Sequence, residues 1–207
     1  MERTEPERSR GVIAIGASAG GVDALQRVVR GLPGRLPAAV CIVLHIPATA
    51  RSVLADVIAR GTVLPVQVAK HGDRLLAGRV FVAPPDRHLL VRPGRLALDS
   101  GPKEHAVRPA IDPLFRSVAA AYGARAMGIV LSGSLDDGAA GLAQLAAAGG
   151  TALVQDPEDA FVPSMPEAAL AATPAARALR ADELGNAIAS FARGLPMTDA
   201  RERRTVS

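Results

Sequence analysis

A chain of 207 residues that is 49% hydrophobic and 21% charged has the length and balance of one globular domain with a single sizeable core. Its net charge of +4 suits an acidic partner, yet aromatics make up only 2%, Trp is absent, and arginines cluster only in the tail "RERR" (201–204). Nucleic-acid binding is therefore not expected: stacking platforms and a basic helix face are both missing.

The lone Cys41 excludes an intramolecular disulfide and a multi-cysteine zinc cluster, and inside "AVCIVLH" it reads as a small buried hydrophobe. The start "MERTEPERSR" lacks the apolar segment of a signal peptide, and no apolar run reaches the ~20 residues that span a bilayer. The expectation is a cytoplasmic protein with no membrane insertion. Residues 1–10 and 197–207 are polar and aperiodic, so they read as flexible tails around a domain at 11–196.

"GVIAIGAS" (11–18) is a buried strand by its β-branched run, and Val22, Leu25, Val28, Val29 and Leu32 then follow helical spacing up to Gly31 and Pro33. "AVCIVLH" (39–45) is a second strand. Ser52 is placed to cap a helix with Val53, Leu54, Val57 and Ile58 on its apolar side, and "PVQVA" (65–69) is a third strand. This alternation predicts an α/β fold: a doubly wound, mostly parallel sheet with helices on both faces.

The rhythm breaks at 78–99, where "GRVFVAP", "HLLVR" and "RLALD" are short strands separated by turns; two or three of them are expected to pair as a local antiparallel hairpin. Asp112-Pro113 reads as a helix start with Pro at the first helical position, followed by Leu114, Phe115, Val118 and Tyr122 on one side. Strands at 126–133 and 151–156 flank a small-residue helix at 137–150. A short helix at 164–172 and a last helix burying Leu184, Ala187, Ile188 and Phe191 complete the reading.

In a parallel sheet, reactive groups collect beyond the C-terminal strand ends. Ser18 ends the first strand, His45 ends the second and is followed by Ile46-Pro47, and Asp136-Asp137 follow "GIVLSG". Both aspartates qualify as caps of the helix after them; one is expected to fill that role and the other to face His45.

"IGASAGG" (15–21) itself has two readings. As Gly16-x-Ser18-x-x-Gly21 it is a dinucleotide fingerprint without its middle glycine, and the second strand ends in His45 rather than in the acidic residue that would hold a ribose. As Gly16-x-Ser18-x-Gly20 it frames a nucleophilic serine, with small neighbours that admit a carbonyl and with amides at Ala19 and in "SGSLDDG" available to an oxyanion. The bland role of Ser18 is a helix cap. His71, His88 and His105 read as surface or loop residues, His105 with a place near a substrate cleft. Four histidines without a ligand-spaced pair argue against a metal site.

These segments resemble, over about residues 11–193, the catalytic domain of the CheB-type protein-glutamate methylesterase family. The likeness is carried by "IGASAGG", "VLHIP", "GRVFVAPPDRHLLV", "RPAIDPLFRSVAAAYG", "GIVLSGSLDDGAAGL" and "VQDPEDAFVPSMPEAAL" in that order. The resemblance implies a Ser-His-Asp enzyme that needs no cofactor, with Ser18 as nucleophile, His45 as base and acid, Asp137 as orienting carboxylate, and Ala19 and Ser134 as backbone donors to the oxyanion. It implies hydrolysis of glutamyl methyl esters, with deamidation of glutamine, on methylated chemoreceptor-type proteins.

The chain departs from the family pattern where a threonine is usual at Ala19, a glutamine at Leu44, and Gly-Met-Gly at Gly133-Ser134-Leu135. If the replaced glycine sits at positive φ, Leu135 costs roughly 1–2 kcal/mol or moves the loop. Those changes motivate an alternative expectation, a catalytically weak relative that binds receptor or another signalling protein without turnover; nucleotide binding at the turn is the third. The family's usual receiver domain has no counterpart in the ten residues before the first strand, so phosphorylation within this chain is not expected to regulate it.

Overall fold

A computed structural model describes residues 11–46 and 53–197. The elements in chain order are β1 (Gly11–Ala17), α1 (Gly21–Arg30), β2 (Ala38–Leu44), α2 (Leu54–Ala59), β3 (Val66–Val68), β4 (Val80–Val82), β5 (His88–Arg92) and β6 (Arg95–Asp99). They continue with α3 (Ile111–Tyr122), β7 (Ala126–Val130), α4 (Ala139–Ala147), β8 (Thr151–Gln155), α5 (Ser164–Ala172), β9 (Arg177–Leu179) and α6 (Ala181–Ala192).

Seven strands form a parallel sheet in the order β3-β4-β2-β1-β7-β8-β9, and β5 and β6 pair separately as an antiparallel hairpin. The fold is the doubly wound α/β arrangement the alternation predicts. Every residue of β1, β2 and β7 is buried, because helices cover both faces of the central strands.

Period-two alternation divides the core. Val12, Ala14, Cys41 and Val43 pack with Phe81, the hairpin and helices α3, α4 and α5; Ile13, Ile15, Ile42 and Ile129 pack with α1, α2 and α6. Cys41 lies fully buried in the first layer, where burial pushes its thiol up to about 12. That removes it from thiolate chemistry.

Several local expectations are corrected. Of the three short strands at 78–99, two pair as the expected hairpin, β5 with β6, while "GRVFVAP" supplies β4, inserted between β3 and β2 in the parallel sheet. Val22 and Val53 are not on the buried sides of their helices, being 41% and 61% exposed; Ala24 fills the α1 contact instead. Helix α3 begins at Ile111 with Ala110 as its cap, so Pro113 stands at the third helical position. Strand β9 has no counterpart in the sequence reading, since three partly exposed residues at a sheet edge carry no periodic signal. The Ser52 cap, Pro47 and the tails at 1–10 and 198–207 lie outside the described residues. No helix among the described residues is long and apolar enough to cross a membrane.

The topology positions the site. From β1 the chain proceeds through α1 to β2 on one side, whereas β7 adds on the other side of β1. The loops leaving β1 and β7 thus start from adjacent strands at the switch point of the sheet, beyond whose C-terminal ends such sheets place their ligand crevice.

Candidate active site

Ser18 follows β1 directly and precedes a turn in which Gly20 takes φ 73° before α1 starts at Gly21. Its amide donates to Ser132 O at 2.9 Å, and its carbonyl accepts from Gly21 N at 2.9 Å, so the backbone of the turn is held from both sides. Its hydroxyl is 3.1 Å from His45 Nδ1.

His45 follows β2, and its own amide donates to Ala17 O at 3.1 Å, which ties it to the end of β1. The other ring nitrogen, Nε2, lies 2.7 Å from Asp137 Oδ2. An ionised carboxylate only accepts, so Nε2 carries the proton and Nδ1 presents its lone pair to Ser18.

Asp137 is 2% exposed. Neither Asp136 nor Asp137 fills the expected role of cap for α4, which has Gly138 at its N-cap with φ 95° and no side-chain bond there. Instead Asp137 caps α3 from a distance, with Oδ2 accepting from Ile111 N at 2.7 Å and Oδ1 from Asp112 N at 3.0 Å. Burial alone would raise the pKa of this carboxyl, but the His45 hydrogen bond, the two helix amides and the charge of His45 outweigh it. The carboxyl is held below its ordinary value of 3.8. The positive end of the α3 dipole acts in the same direction.

The loop after β7 closes the crevice. Ser132 Oγ donates to Ala19 O at 2.7 Å and accepts from Val162 N at 2.9 Å, joining the β1 turn to the segment before α5. Gly133 is pinned between Val162 O, which takes its amide, and Met165 N, which donates to its carbonyl. A Cβ at 133 would fall 2.8 Å from Ser18 Cβ and against the Met165 thioether, so only glycine permits this approach. The amides of Ala19 and Ser134 donate to no acceptor among the described residues.

The position at which a dinucleotide turn brings backbone to the pyrophosphate is Ser18, which carries a side chain whose hydroxyl is engaged with His45 Nδ1 at 3.1 Å.

Of the remaining histidines, His71 and His105 are the exposed loop residues the sequence suggests and His88 is not. His88 is 2% exposed; its Nε2 donates to Pro102 O at 2.9 Å and its Nδ1 accepts from Ala110 N at 3.2 Å, which makes it a buried tie between the hairpin and the approach to α3. His105 Nε2 bonds Asp112 Oδ2 at 3.0 Å, and Asp112 Oδ1 accepts from Gly141 N at 2.6 Å. His71 remains an exposed loop residue. Among the described residues, donor atoms of His105, Asp112 and Asp137 converge within 4.8 Å, the arrangement that holds a metal elsewhere. Here those groups are already engaged with one another, with His45 and with the α3 and α4 amides.

The family model described as CheB methylesterase matches residues 13–188. The chain belongs to the CheB methylesterase family. The crystal structure of the Thermotoga maritima CheB methylesterase catalytic domain is similar with a TM-score of 0.82 and 28% identity, covering 87% of this chain and 98% of that one. A protein-glutamate methylesterase/protein-glutamine glutaminase of Anaeromyxobacter dehalogenans is 41% identical over 182 residues, covering 88% of this chain and 53% of its own length. One of Symbiobacterium thermophilum is 39% identical over 180 residues, covering 86% of this chain and 50% of its own length. The chain spans about half the length of the curated relatives it matches.

Where this CheB methylesterase domain departs from the usual pattern, the consequences are local. Leu44 is 7% exposed and packs with the layer under α1, so a polar side chain is replaced there by core. Leu135 sits at φ 66° with 73% of its surface exposed, so the strain anticipated for a side chain at a glycine position is present. Relief of roughly 1–2 kcal/mol of left-handed strain is partly offset by the ~0.5–1 kcal/mol that glycine loses in backbone entropy on folding. Leu135→Gly is therefore expected to raise the free energy of unfolding by about 0.5–1 kcal/mol, read as a higher urea midpoint at unchanged slope.

Proposed function

We propose that this chain hydrolyses glutamyl γ-methyl esters on chemoreceptor-type proteins, releasing methanol, and deamidates glutamine at similar sites. The observation that carries the reading is the continuous hydrogen-bonded chain Ser18–His45–Asp137 at the C-terminal edge of the sheet. The printed names of the relatives, which pair methylesterase with glutaminase activity, support the same chemistry.

In this mechanism Ser18 Oγ attacks the γ-carbonyl carbon as His45 Nδ1 takes its proton, and Asp137 stabilises the imidazolium through Nε2. The tetrahedral oxyanion is received by the amides of Ala19 and Ser134, which are fixed in place before reaction and so cost little reorganisation. Collapse breaks the bond to the methoxy oxygen, and His45 returns its proton to the departing methanol. Water, deprotonated by the same imidazole, then cleaves the acyl-serine and leaves free glutamate. With glutamine the leaving group is ammonia and the remaining steps are the same.

Ser18 and His45 are half-buried, and Ala19 and Ser134 are exposed, which suits a side chain presented on a protein surface. The test is incubation with receptor whose methyl groups carry a radioactive label. Labelled methanol is expected in the volatile fraction; its absence with a folded protein contradicts the reading.

Leu135 at positive φ beside Ser134 favours a second reading, a slow enzyme or a binding module. Leu135→Gly separates the two: it accelerates methanol release if the strained loop limits turnover. No hydrolysis by either form, with receptor binding retained, would favour the binding module.

A further inference from the structure

Beyond the hydrogen-bonded chain through Ser18, a second histidine reaches the same carboxylate. His105 lies in a turn closed by the Glu104–Val107 bridge, at φ 50°, with its side chain 30% exposed. Its Nε2 is 3.0 Å from Asp112 Oδ2 and 3.7 Å from Asp137 Oδ1, and its Nδ1 is 3.4 Å from Asp136 Oδ1. The side chains of Asp112 and Asp137 are 4% and 2% exposed, so two buried carboxylates from different elements share one network with His45 on its far side.

Four carboxylates occupy this corner: Glu104 on the His105 turn, Asp112 on α3, and Asp136 and Asp137 on the loop before α4. Two cations face them. Arg116 of α3 is engaged by Glu104, with Nη2 at 2.6 and 2.8 Å from the two carboxylate oxygens, and its charge also reaches Asp112 and Asp137; His105 is the one of the two that hydrogen-bonds Asp112 directly. Burial disfavours a charged His105 ring, but the Asp112 hydrogen bond and the charges of Asp137, Asp112 and Asp136 outweigh it and raise its pKa above the ordinary 6.5.

An unbalanced second carboxylate beside the Asp137–His45 pair favours protonated His45, and a protonated imidazole accepts nothing from serine. Resting on the Ser-His-Asp reading above, we propose that His105 is a positioning residue that, as its imidazolium, neutralises Asp112 and steadies Asp137, so that His45 remains the free base catalysis requires. His105 acts through Asp137 and touches neither substrate nor the reacting atoms.

His105→Asn tests this without disturbing the turn, because asparagine tolerates the left-handed backbone and keeps an amide donor for Asp112 while removing the charge. The readout is the rate at which a fluorophosphonate labels Ser18, followed from acid to alkaline pH. The acid limb of that profile is expected to move to higher pH, making the variant about tenfold slower on the acid side and within about twofold of the parent on the alkaline plateau. An unmoved limb overturns the proposal, and so does a uniform drop at every pH, which is what a purely structural role produces.

The parent protein gives an answer that needs no variant. In its long-range proton–nitrogen NMR spectrum, the His45 ring nitrogens are expected to show a second, smaller inflection coinciding with the titration of His105; a single inflection overturns the coupling. If instead Ser18 is labelled at the parent rate in His45→Ala, the Ser-His-Asp reading itself falls, and this proposal with it. A dead His45→Ala beside a parent-like His105→Asn profile removes only the role of His105.

Discussion

Ser18→Ala is expected to lower kcat for methyl-ester hydrolysis by about 10⁴- to 10⁶-fold, with receptor binding retained and thermal unfolding nearly unchanged. The size of the effect follows from the role: without the hydroxyl no acyl-enzyme forms, and the residual rate is that of water beside the Ala19 and Ser134 amides. The small stability change follows from the contacts. The Ser18 side chain's hydrogen bond is to His45, whereas the turn is held by its backbone through Ser132 and Gly21, which the substitution leaves in place. Methanol release and calorimetry on the same preparation check both halves. A variant that still turns over at the parent rate excludes Ser18 as the nucleophile.

Asp137→Asn is expected to cost about 10⁴-fold in kcat and, unlike the serine change, to destabilise the fold by about 1–3 kcal/mol. Asparagine offers one oxygen where the carboxylate offers two. At the Oδ2 position that oxygen keeps both Ile111 N and His45 Nε2 and turns the NH₂ against Asp112 N; at the Oδ1 position it keeps Asp112 N and turns the NH₂ against both Ile111 N and His45 Nε2. If the NH₂ faces the ring, Nε2 becomes the acceptor and the proton moves to Nδ1, where it blocks the serine. In either orientation one of the two α3 amides loses its acceptor.

The pH dependence has a definite sign. The Asp137 carboxyl is depressed in the folded state, so its stabilisation is full above the unfolded value of ~3.9 and is lost as pH falls through the folded value. Urea unfolding at neutral and acid pH is therefore expected to show the parent losing more stability on acidification than Asp137→Asn.

Much of this arrangement was legible in the sequence because the central strands announce themselves. The runs in β1, β2 and β7 are apolar on both faces, end in polar residues, and alternate with helical patterns, which is enough to place Ser18, His45 and the Asp136-Asp137 pair at one sheet edge. The assignment of Asp137 over Asp136 came from family resemblance rather than spacing, and the geometry gives a physical counterpart: Asp137 is buried against the α3 N-terminus while the Asp136 side chain is 66% exposed.

What escaped the sequence depends on contacts between distant segments. A carboxylate that caps a helix from another loop leaves no local signature, so the sequence offers Asp136 and Asp137 alike as caps for α4 and carries no sign that Asp137 holds the N-terminus of α3. His88 and His105 resemble loop histidines until the hairpin and α3 bring Pro102, Ala110 and Asp112 to them. Whether β4 belongs to the hairpin or to the sheet is left open by the sequence, because neighbours in sequence usually pair; its place between β3 and β2 is set by the burial of Val80, Phe81 and Val82 on both faces.

The measurement that bears most directly on the account is titration of the protein with a fluorophosphonate, following both the labelled residue by peptide mass spectrometry and the remaining methanol release. The account predicts one label per chain, on Ser18, with activity falling in proportion to it. Full methanol release from protein labelled completely at Ser18 would contradict the account.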